Sequence, residues 1–229
     1  MMSLLSRRLL CFAVAALAAT SARSADDFSA AERSLFMTNH LAELRPPLTL
    51  RYRYAKSGTL EEAFTDKVDV RLRARADGVC CTADADFLGG PRHLALPEVE
   101  TAEGNPSILY FLERDIREMA RLTKGQANYF RKRIRMAIYG GARIREVSLP
   151  YQGKLVAAQE ITISPYVDDP MRARFESLVN KQYVFTMSKA VPGGVLAVRT
   201  RIEGATPGAA PLLAEEMLLD DATVVAKKP

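Results

Sequence analysis

The chain has 229 residues, of which 48% are hydrophobic and 26% are charged, and its formal net charge is +5 at pH 7. This is the composition of an ordinary globular protein, and it disfavours the disordered, collagen-like and coiled-coil classes. The length allows one large domain or two small ones with a sizeable core.

Residues 1–24 have the pattern of a secretory signal peptide. Two arginines precede an apolar run from Leu9 to Ala19, and small residues follow that run. The run is shorter than the ~20 residues that a bilayer-spanning helix needs, but its length suits the apolar region of a signal peptide. We therefore expect export to the periplasm and a single mature domain over residues 25–229, with an uncleaved anchor helix as the alternative.

The charge and the motifs of the mature chain exclude several functions. Cleavage would remove Arg7, Arg8 and Arg23 but no acidic residue, which leaves the mature chain nearly neutral. No stripe of basic and stacking aromatic residues remains, so we expect no nucleic-acid partner. The chain has two histidines, His40 and His93, and no spaced Cys/His set, so we expect no metal and no other cofactor. Without a Gly-x-Ser-x-Gly motif or a phosphate-binding glycine loop, we expect no enzymatic activity.

The first mature elements are a helix and a strand meander. A helix is predicted over residues 26–44, with Ser29 as its cap and Glu32 completing a capping box. Apolar and polar residues then alternate with a period of two, which predicts three antiparallel strands between residues 48 and 87. One face of this meander is apolar and the other is charged.

The second half of the chain is predicted to contain a helical pair and five more strands. Two helices are expected over residues 106–139, with Pro106 as the first residue of the first helix. A short helix is expected over residues 170–179, capped by Asp169. The five strands are predicted at residues 143–149, 154–164, 182–188, 195–202 and 213–219. The fold class is therefore α+β: a curved antiparallel sheet of about eight strands, an unclosed half-barrel, with an N-terminal helix and an inserted helical pair.

The apolar face of the sheet is the first candidate site. A sheet face must be covered, so the helices either cover it completely and make a plain core, or leave an apolar groove that takes a ligand. The residues of this face are Leu50, Tyr52, Tyr54, Val68, Val70, Leu72, Phe87, Tyr183, Phe185 and Met187.

The densest run of positive charge is the second candidate site. Arg131, Lys132, Arg133 and Arg135 lie on the second predicted helix. They are either a solvated helix face or a contact for anionic lipid headgroups or an acidic partner.

Two adjacent cysteines, Cys80 and Cys81, are the third candidate. Adjacent residues of a strand point to opposite faces, and a disulfide between them requires a strained turn. They are either ordinary strand residues or a pair with a redox or intermolecular role.

The order of the predicted elements resembles that of the LolA/LolB outer-membrane lipoprotein-sorting proteins. The matching pieces are the opening helix, the meander, the helical pair and the closing strands. The segment from Gly104 to Asp115 also resembles a small uncharacterised family of proteobacterial periplasmic proteins. The resemblance implies the half-barrel fold more than a function. Our leading hypothesis is a periplasmic carrier or chaperone that binds a lipid or an acylated protein on the concave face of the sheet, with peripheral membrane contact through the basic helix. The alternative is an accessory or assembly protein that binds another envelope protein.

Overall fold

Eight antiparallel strands form one sheet in the part of the chain that the structure describes. The structure is a computed structural model that describes residues 28–78 and 80–220, so the predicted signal peptide lies outside the described residues. The strands are β1 (Leu48–Ser57), β2 (Phe64–Ala74), β3 (Cys80–Phe87), β4 (Arg143–Tyr151), β5 (Lys154–Ile163), β6 (Gln182–Met187), β7 (Val195–Ile202) and β8 (Leu213–Leu219). Their order is β3-β2-β1-β8-β7-β6-β5-β4, so β3 and β4 are edges and the sheet is not closed. The predicted α+β half-barrel is confirmed.

The alternation of the sequence becomes the two faces of the sheet. In β1, Leu50, Tyr52 and Tyr54 are buried, whereas Arg51 and Arg53 between them are exposed. Successive side chains of a strand point to opposite faces, so one face of the sheet packs into the core and the other carries the charge.

Cross-strand ion pairs cover the outer face of the β2–β3 hairpin. Arg71 lies opposite Asp84 in the register, and its Nε donates to Asp84 Oδ1 at 2.6 Å. Arg71 also pairs with Asp86, and Arg73 pairs with Asp84. Opposite charges facing each other across a strand pair stabilise it by about 0.2–1 kcal/mol each, which accounts for these acidic side chains in structural terms.

Three α-helices accompany the sheet in the described residues. They are α1 (Ala30–Glu32), which continues as a π-helical turn over Arg33–Met37, α2 (Ser107–Thr123) and α3 (Ala127–Gly140). The predicted capping box is confirmed, because Glu32 N–H donates to Ser29 Oγ at 3.1 Å and Ser29 N–H donates to Glu32 Oε2 at 2.8 Å. The predicted helical pair is also present: α2 packs against β7 and α3, and α3 contacts β5 and α1.

The predicted opening helix is wrong in its length. It was expected over residues 26–44, but the helical segment ends at Met37, and Thr38 is extended with φ −77° and ψ 131°. The Asn39 side chain then accepts a hydrogen bond from Leu41 N–H at 3.1 Å. Such a local side-chain turn competes with helix continuation, which explains why the helix stops well before the prolines.

The predicted helix over residues 170–179 is also wrong in its type. Two short 3₁₀ helices, Arg172–Arg174 and Glu176–Asn180, replace it, and Glu176 has a positive φ of 49°. A left-handed residue does not continue a right-handed helix. Asp169 still acts at the start of this segment, because its Oδ1 accepts a hydrogen bond from Met171 N–H at 2.7 Å.

Candidate functional site

An open apolar groove runs between the N-terminal segment and the helical pair. Its volume is about 680 Å³, within the range of about 300–1,000 Å³ that is typical of small-molecule sites. Residues from four segments line it: Phe28, Glu32, Phe36, Met37, Leu96, Pro97, Val99, Leu109, Tyr110, Leu112, Glu113, Ile116, Arg117, Arg131, Ile134, Arg135 and Ile138.

The floor of the groove comes from apolar residues at helical spacing on both helices. Leu112 and Ile116 of α2 lie one turn apart, as do Ile134 and Ile138 of α3, and all four are buried. Residues four apart lie on the same face of a helix, so two apolar ridges face each other. At the mouth, Leu109 is 54% exposed. The described residues thus leave the apolar surface of the groove open to solvent.

Charged side chains form the rim of the groove. Glu113 accepts hydrogen bonds from Arg131 at 2.8 Å and from Arg117 at 3.2 Å. Burial favours the neutral form of Glu113, but the two arginines outweigh it and lower its pKa. Arg135 also lines the groove, and it forms no ion pair with any described residue. The rim can therefore hold an anionic group at Arg135.

The structure separates the four predicted basic residues. Arg131 and Arg135 line the groove, whereas Lys132 is exposed outside it. Arg133 points to the opposite side of α3, where its Nε lies 2.7 Å from Oδ2 of the buried Asp169. Arg133 thus has a structural partner, and a headgroup or partner contact by the four residues stays a prediction.

The ten residues predicted to form a ligand groove on the sheet lie in the core. Leu50, Tyr52, Tyr54, Val68, Val70, Leu72, Phe87, Tyr183, Phe185 and Met187 are all buried. The protein's own side chains fill the concave face, and Asn105 Nδ2 donates to Tyr52 Oη at 2.9 Å. Burial raises the pKa of Tyr52 to about 12, although hydrogen bonds from Ser107 and Asn105 oppose this shift. A ligand-binding role for these ten residues stays a prediction.

A buried ionic cluster joins α2 to the sheet. The Lys181 ammonium contacts the Asp115 carboxylate, and both side chains are fully buried. Tyr183 Oη donates to Asp115 Oδ2 at 2.5 Å. Glu215 accepts hydrogen bonds from Arg114 at 2.6 Å and from Tyr54 Oη at 3.0 Å. Asp115 and Arg114 are on α2 and the other members are on or next to strands, so the cluster fixes α2 over the sheet.

The charges within the cluster set its protonation states. Burial alone would raise the pKa of Glu215, but Lys181, Arg114 and Lys56 outweigh burial and lower it to about 2. For Asp115, burial prevails and raises the pKa, although Lys181 opposes the shift. Glu215 is therefore ionised at neutral pH and neutralises the cations around it.

This cluster was not predicted from the sequence, although a signal for it exists. Glu215 shares the inward face of β8 with Leu213 and Met217, and Lys56 follows Tyr54 in the inward register of β1. A charged residue in an apolar register marks a buried charge that needs a partner. The sequence could not show which partners meet these residues, because the partners come from distant segments.

The two cysteine side chains lie next to each other in the structure, and a disulfide between them stays a prediction. Cys80 is partly buried and Cys81 is fully buried, at the start of β3. Ala102 N–H donates to the Cys81 carbonyl oxygen at 2.8 Å, which fastens the 94–105 loop to this edge. Whether the pair has a redox or intermolecular role stays a prediction.

The two histidines have different environments. Both ring nitrogens of His40 are used, because Nε2 lies 2.9 Å from the Ser34 carbonyl oxygen and Nδ1 accepts from Asn105 N–H at 3.1 Å. Burial lowers the pKa of His40. His93 is exposed in the loop after β3. His40 is thereby explained as a structural residue that ties the N-terminal segment to the loop before α2.

Comparisons with known proteins provide little further guidance. No family model and no curated protein matches the sequence. Among solved structures, the chain is similar to the one titled "Crystal structure of MucB", with 12% sequence identity and a TM-score of 0.34. The match covers 83% of this chain and 58% of that chain, so this chain spans less than two thirds of it. At these values the likeness is a weak one of fold, and no function follows from it.

None of the helices within residues 28–78 and 80–220 is long and apolar enough to cross a bilayer.

Proposed function

We propose that this chain is an exported, non-enzymatic binding protein that carries an amphiphile, either a lipid or an acylated partner. The observation that carries the proposal is the groove between the N-terminal segment, α2 and α3, with its apolar floor and cationic rim. In this proposal the ligand lies between the helices and not on the concave face of the sheet, where the protein's own side chains already fill the space.

The expected affinity follows from the size of the apolar tail. Each buried methylene contributes about 0.8 kcal/mol, so an acyl chain of about twelve carbons contributes about 10 kcal/mol. Association costs about 4 kcal/mol or more. The balance corresponds to a dissociation constant on the order of tens of micromolar. An ion pair at the rim would strengthen this binding.

The groove can be tested with two ligands that share one tail. Laurate and dodecanol have the same number of carbons, but laurate alone carries a carboxylate. Calorimetric titration should show both binding to the wild type, with laurate preferred. Arg135→Glu should weaken laurate binding about tenfold, because a hydrogen-bonded charge is lost and a like charge gained, and leave dodecanol binding unchanged. Equal loss of both ligands would contradict the role of Arg135.

A blocking variant tests the location of the tail. Leu109 lines the groove and is exposed, so Leu109→Trp should fold and fill the mouth, weakening both ligands. The matched control is Leu155→Trp, because Leu155 is 75% exposed on β5 and does not line the groove. If neither ligand binds the wild type, or if both variants bind equally well, the proposal fails.

A second candidate function is supported by the free edge of the sheet. β4 pairs with β5 on one side only, and residues 143–146 are exposed on both faces. Unpaired strand edges bind extended segments of other proteins. If the chain has such an accessory role, Ile144→Asp should abolish recovery of the partner in a pull-down. The melting temperature of the variant should equal that of the wild type. Arg133 is unsuitable for this test because its ion pair with Asp169 is structural.

A further inference from the structure

The outer face of α3 carries an exposed stripe next to the groove. Lys132, Met136 and Tyr139 follow one another at spacings of four and three residues, so they share one face of the helix. Met136 is 51% and Tyr139 is 60% exposed. A lysine side chain and two large apolar side chains thus lie side by side in solvent, and none of the three lines the groove.

This stripe continues into the mouth of the groove. Arg135 lines the groove and is the neighbour of Met136 on α3, and Phe28, Met37 and Leu109 of the lining are themselves exposed. We call the stripe and this mouth together the docking face. Six of the eleven large apolar residues that are exposed in the described chain lie here: Phe28, Phe36, Met37, Leu109, Met136 and Tyr139. Exposed apolar residues that are concentrated in one area mark a contact surface.

The charge of the docking face is positive and partly unneutralised. Lys132 and Arg135 form no ion pair with the residues that the structure describes. Glu113 is already paired with Arg131 and Arg117, and Glu32 is held by the capping box at Ser29 N–H. The partner of this face must therefore offer negative charge at its surface and apolar material close beneath it.

We propose that the docking face binds the surface of a bilayer that contains anionic phospholipid. Such a surface attracts each nearby Lys or Arg and accepts apolar side chains at the boundary between headgroups and acyl chains. Tyrosine is well suited to this boundary, because its ring is apolar and its hydroxyl is polar. The face would bring the mouth of the groove against the membrane, where an amphiphile can enter or leave. The exchange of an amphiphile with the membrane rests on the proposed function, whereas the membrane contact itself does not.

The test is flotation of the mature chain with two kinds of vesicle, one of phosphatidylcholine alone and one with 30% phosphatidylglycerol added. The docking variant is Lys132→Gln/Met136→Ser/Tyr139→Ser. The matched control, Lys154→Gln/Ile144→Ser/Leu155→Ser, removes the same kinds of exposed side chain from the β4–β5 hairpin. Neither variant alters a residue that lines the groove.

We expect the wild type and the control to float with the anionic vesicles in low salt and to be released by high salt. The docking variant should bind these vesicles at least tenfold more weakly, since one cation is worth about fivefold and two apolar contacts are lost as well. Failure of the wild type to bind, equal binding to neutral vesicles, or equal loss in both variants would overturn the proposal. A protein partner for this face would be indicated by the first of these results.

The laurate titration separates this proposal from the proposed function. If the wild type binds anionic vesicles through the stripe but binds neither laurate nor dodecanol, the docking face stands and the carrier function fails. If it binds both ligands in solution but no vesicles, the carrier function stands and the docking face fails.

Discussion

Replacing Lys181 with methionine is the sharpest test of the buried ionic cluster. The Lys181 side chain is fully buried, contacts Asp115 directly and lies 3.8 Å from Glu215 Oε2. Methionine keeps most of the volume but removes the charge. Asp115 would then retain the hydrogen bond from Tyr183 Oη without a cation in contact with it.

The size of the effect follows from the burial of both partners. Removing one member of a buried ion pair costs about 3–5 kcal/mol, because the remaining charge is desolvated without compensation. Domains are stable by about 5–15 kcal/mol in total, so a large share of the free energy of unfolding would be lost. For a chain of this size, the melting temperature should fall by about 6–20 °C.

Urea unfolding at pH 7, followed by circular dichroism, measures this loss. The control is Arg145→Gln, which removes the exposed partner of the Arg145–Glu160 pair on the sheet surface and should cost less than about 1 kcal/mol. In the double variant Lys181→Met/Asp115→Leu, both charges are absent, so at least half of the lost stability should return. The reasoning is refuted if Lys181→Met is no less stable than the control. It is also refuted if the loss of unfolding free energy in the double variant equals the sum of the losses in the two single variants.

Two further predictions concern acid stability and a close approach of the backbone. The pKa of Glu215 falls from its ordinary 4.5 to about 2, so its stabilising contribution is present above about pH 4.5 and disappears as the pH falls to about 2. Glu215→Gln should therefore reduce the acid-dependent loss of unfolding free energy, and an unchanged pH slope would contradict this. Gly193 has φ +70°, and a Cβ there would lie 2.6 Å from Leu50 Cδ1 and 2.7 Å from Asn105 Nδ2. Gly193→Ala should lower the unfolding free energy by at least about 2 kcal/mol. The control is Gly153→Ala, where φ is +73° and no atom lies near the added Cβ, and it should cost about 1 kcal/mol. Equal losses in the two variants would exclude the clash.

The strands could be predicted from sequence because their signal is local. In β7 and β8 the predicted bounds, residues 195–202 and 213–219, are those of the structure. Both strands are rich in apolar residues, and breakers bound them (Gly194 and Gly204 around β7, Pro211 and Asp220 around β8), so tertiary contacts do not need to move their ends. The opening helix was predicted too long for the converse reason. Its end depends on the side-chain turn at Asn39, which a helical spacing of apolar residues does not reveal.

The candidate site was only partly predictable, because it depends on how distant segments pack. The sequence placed Arg131 and Arg135 on a helix, but it could not show that they face a groove made with Phe28 and Leu109. It also identified the apolar face of the sheet without showing whether α2 covers that face. Whether a face of a sheet becomes a core or a cavity depends on the position of the covering helix, and that position is set by long-range contacts.

The position of α2 is set by its two chemically different sides. Arg114 and Asp115 belong to the ionic cluster on the sheet side, whereas Leu112 and Ile116 face the groove. A buried ionic cluster adds little net stability, because desolvation offsets the attraction between its charges. Its hydrogen bonds nevertheless require defined distances and angles, so it favours one position of the helix where a purely apolar contact would allow several. The side of α2 that lines the groove is therefore held in position by residues on its opposite side, which do not themselves line the groove.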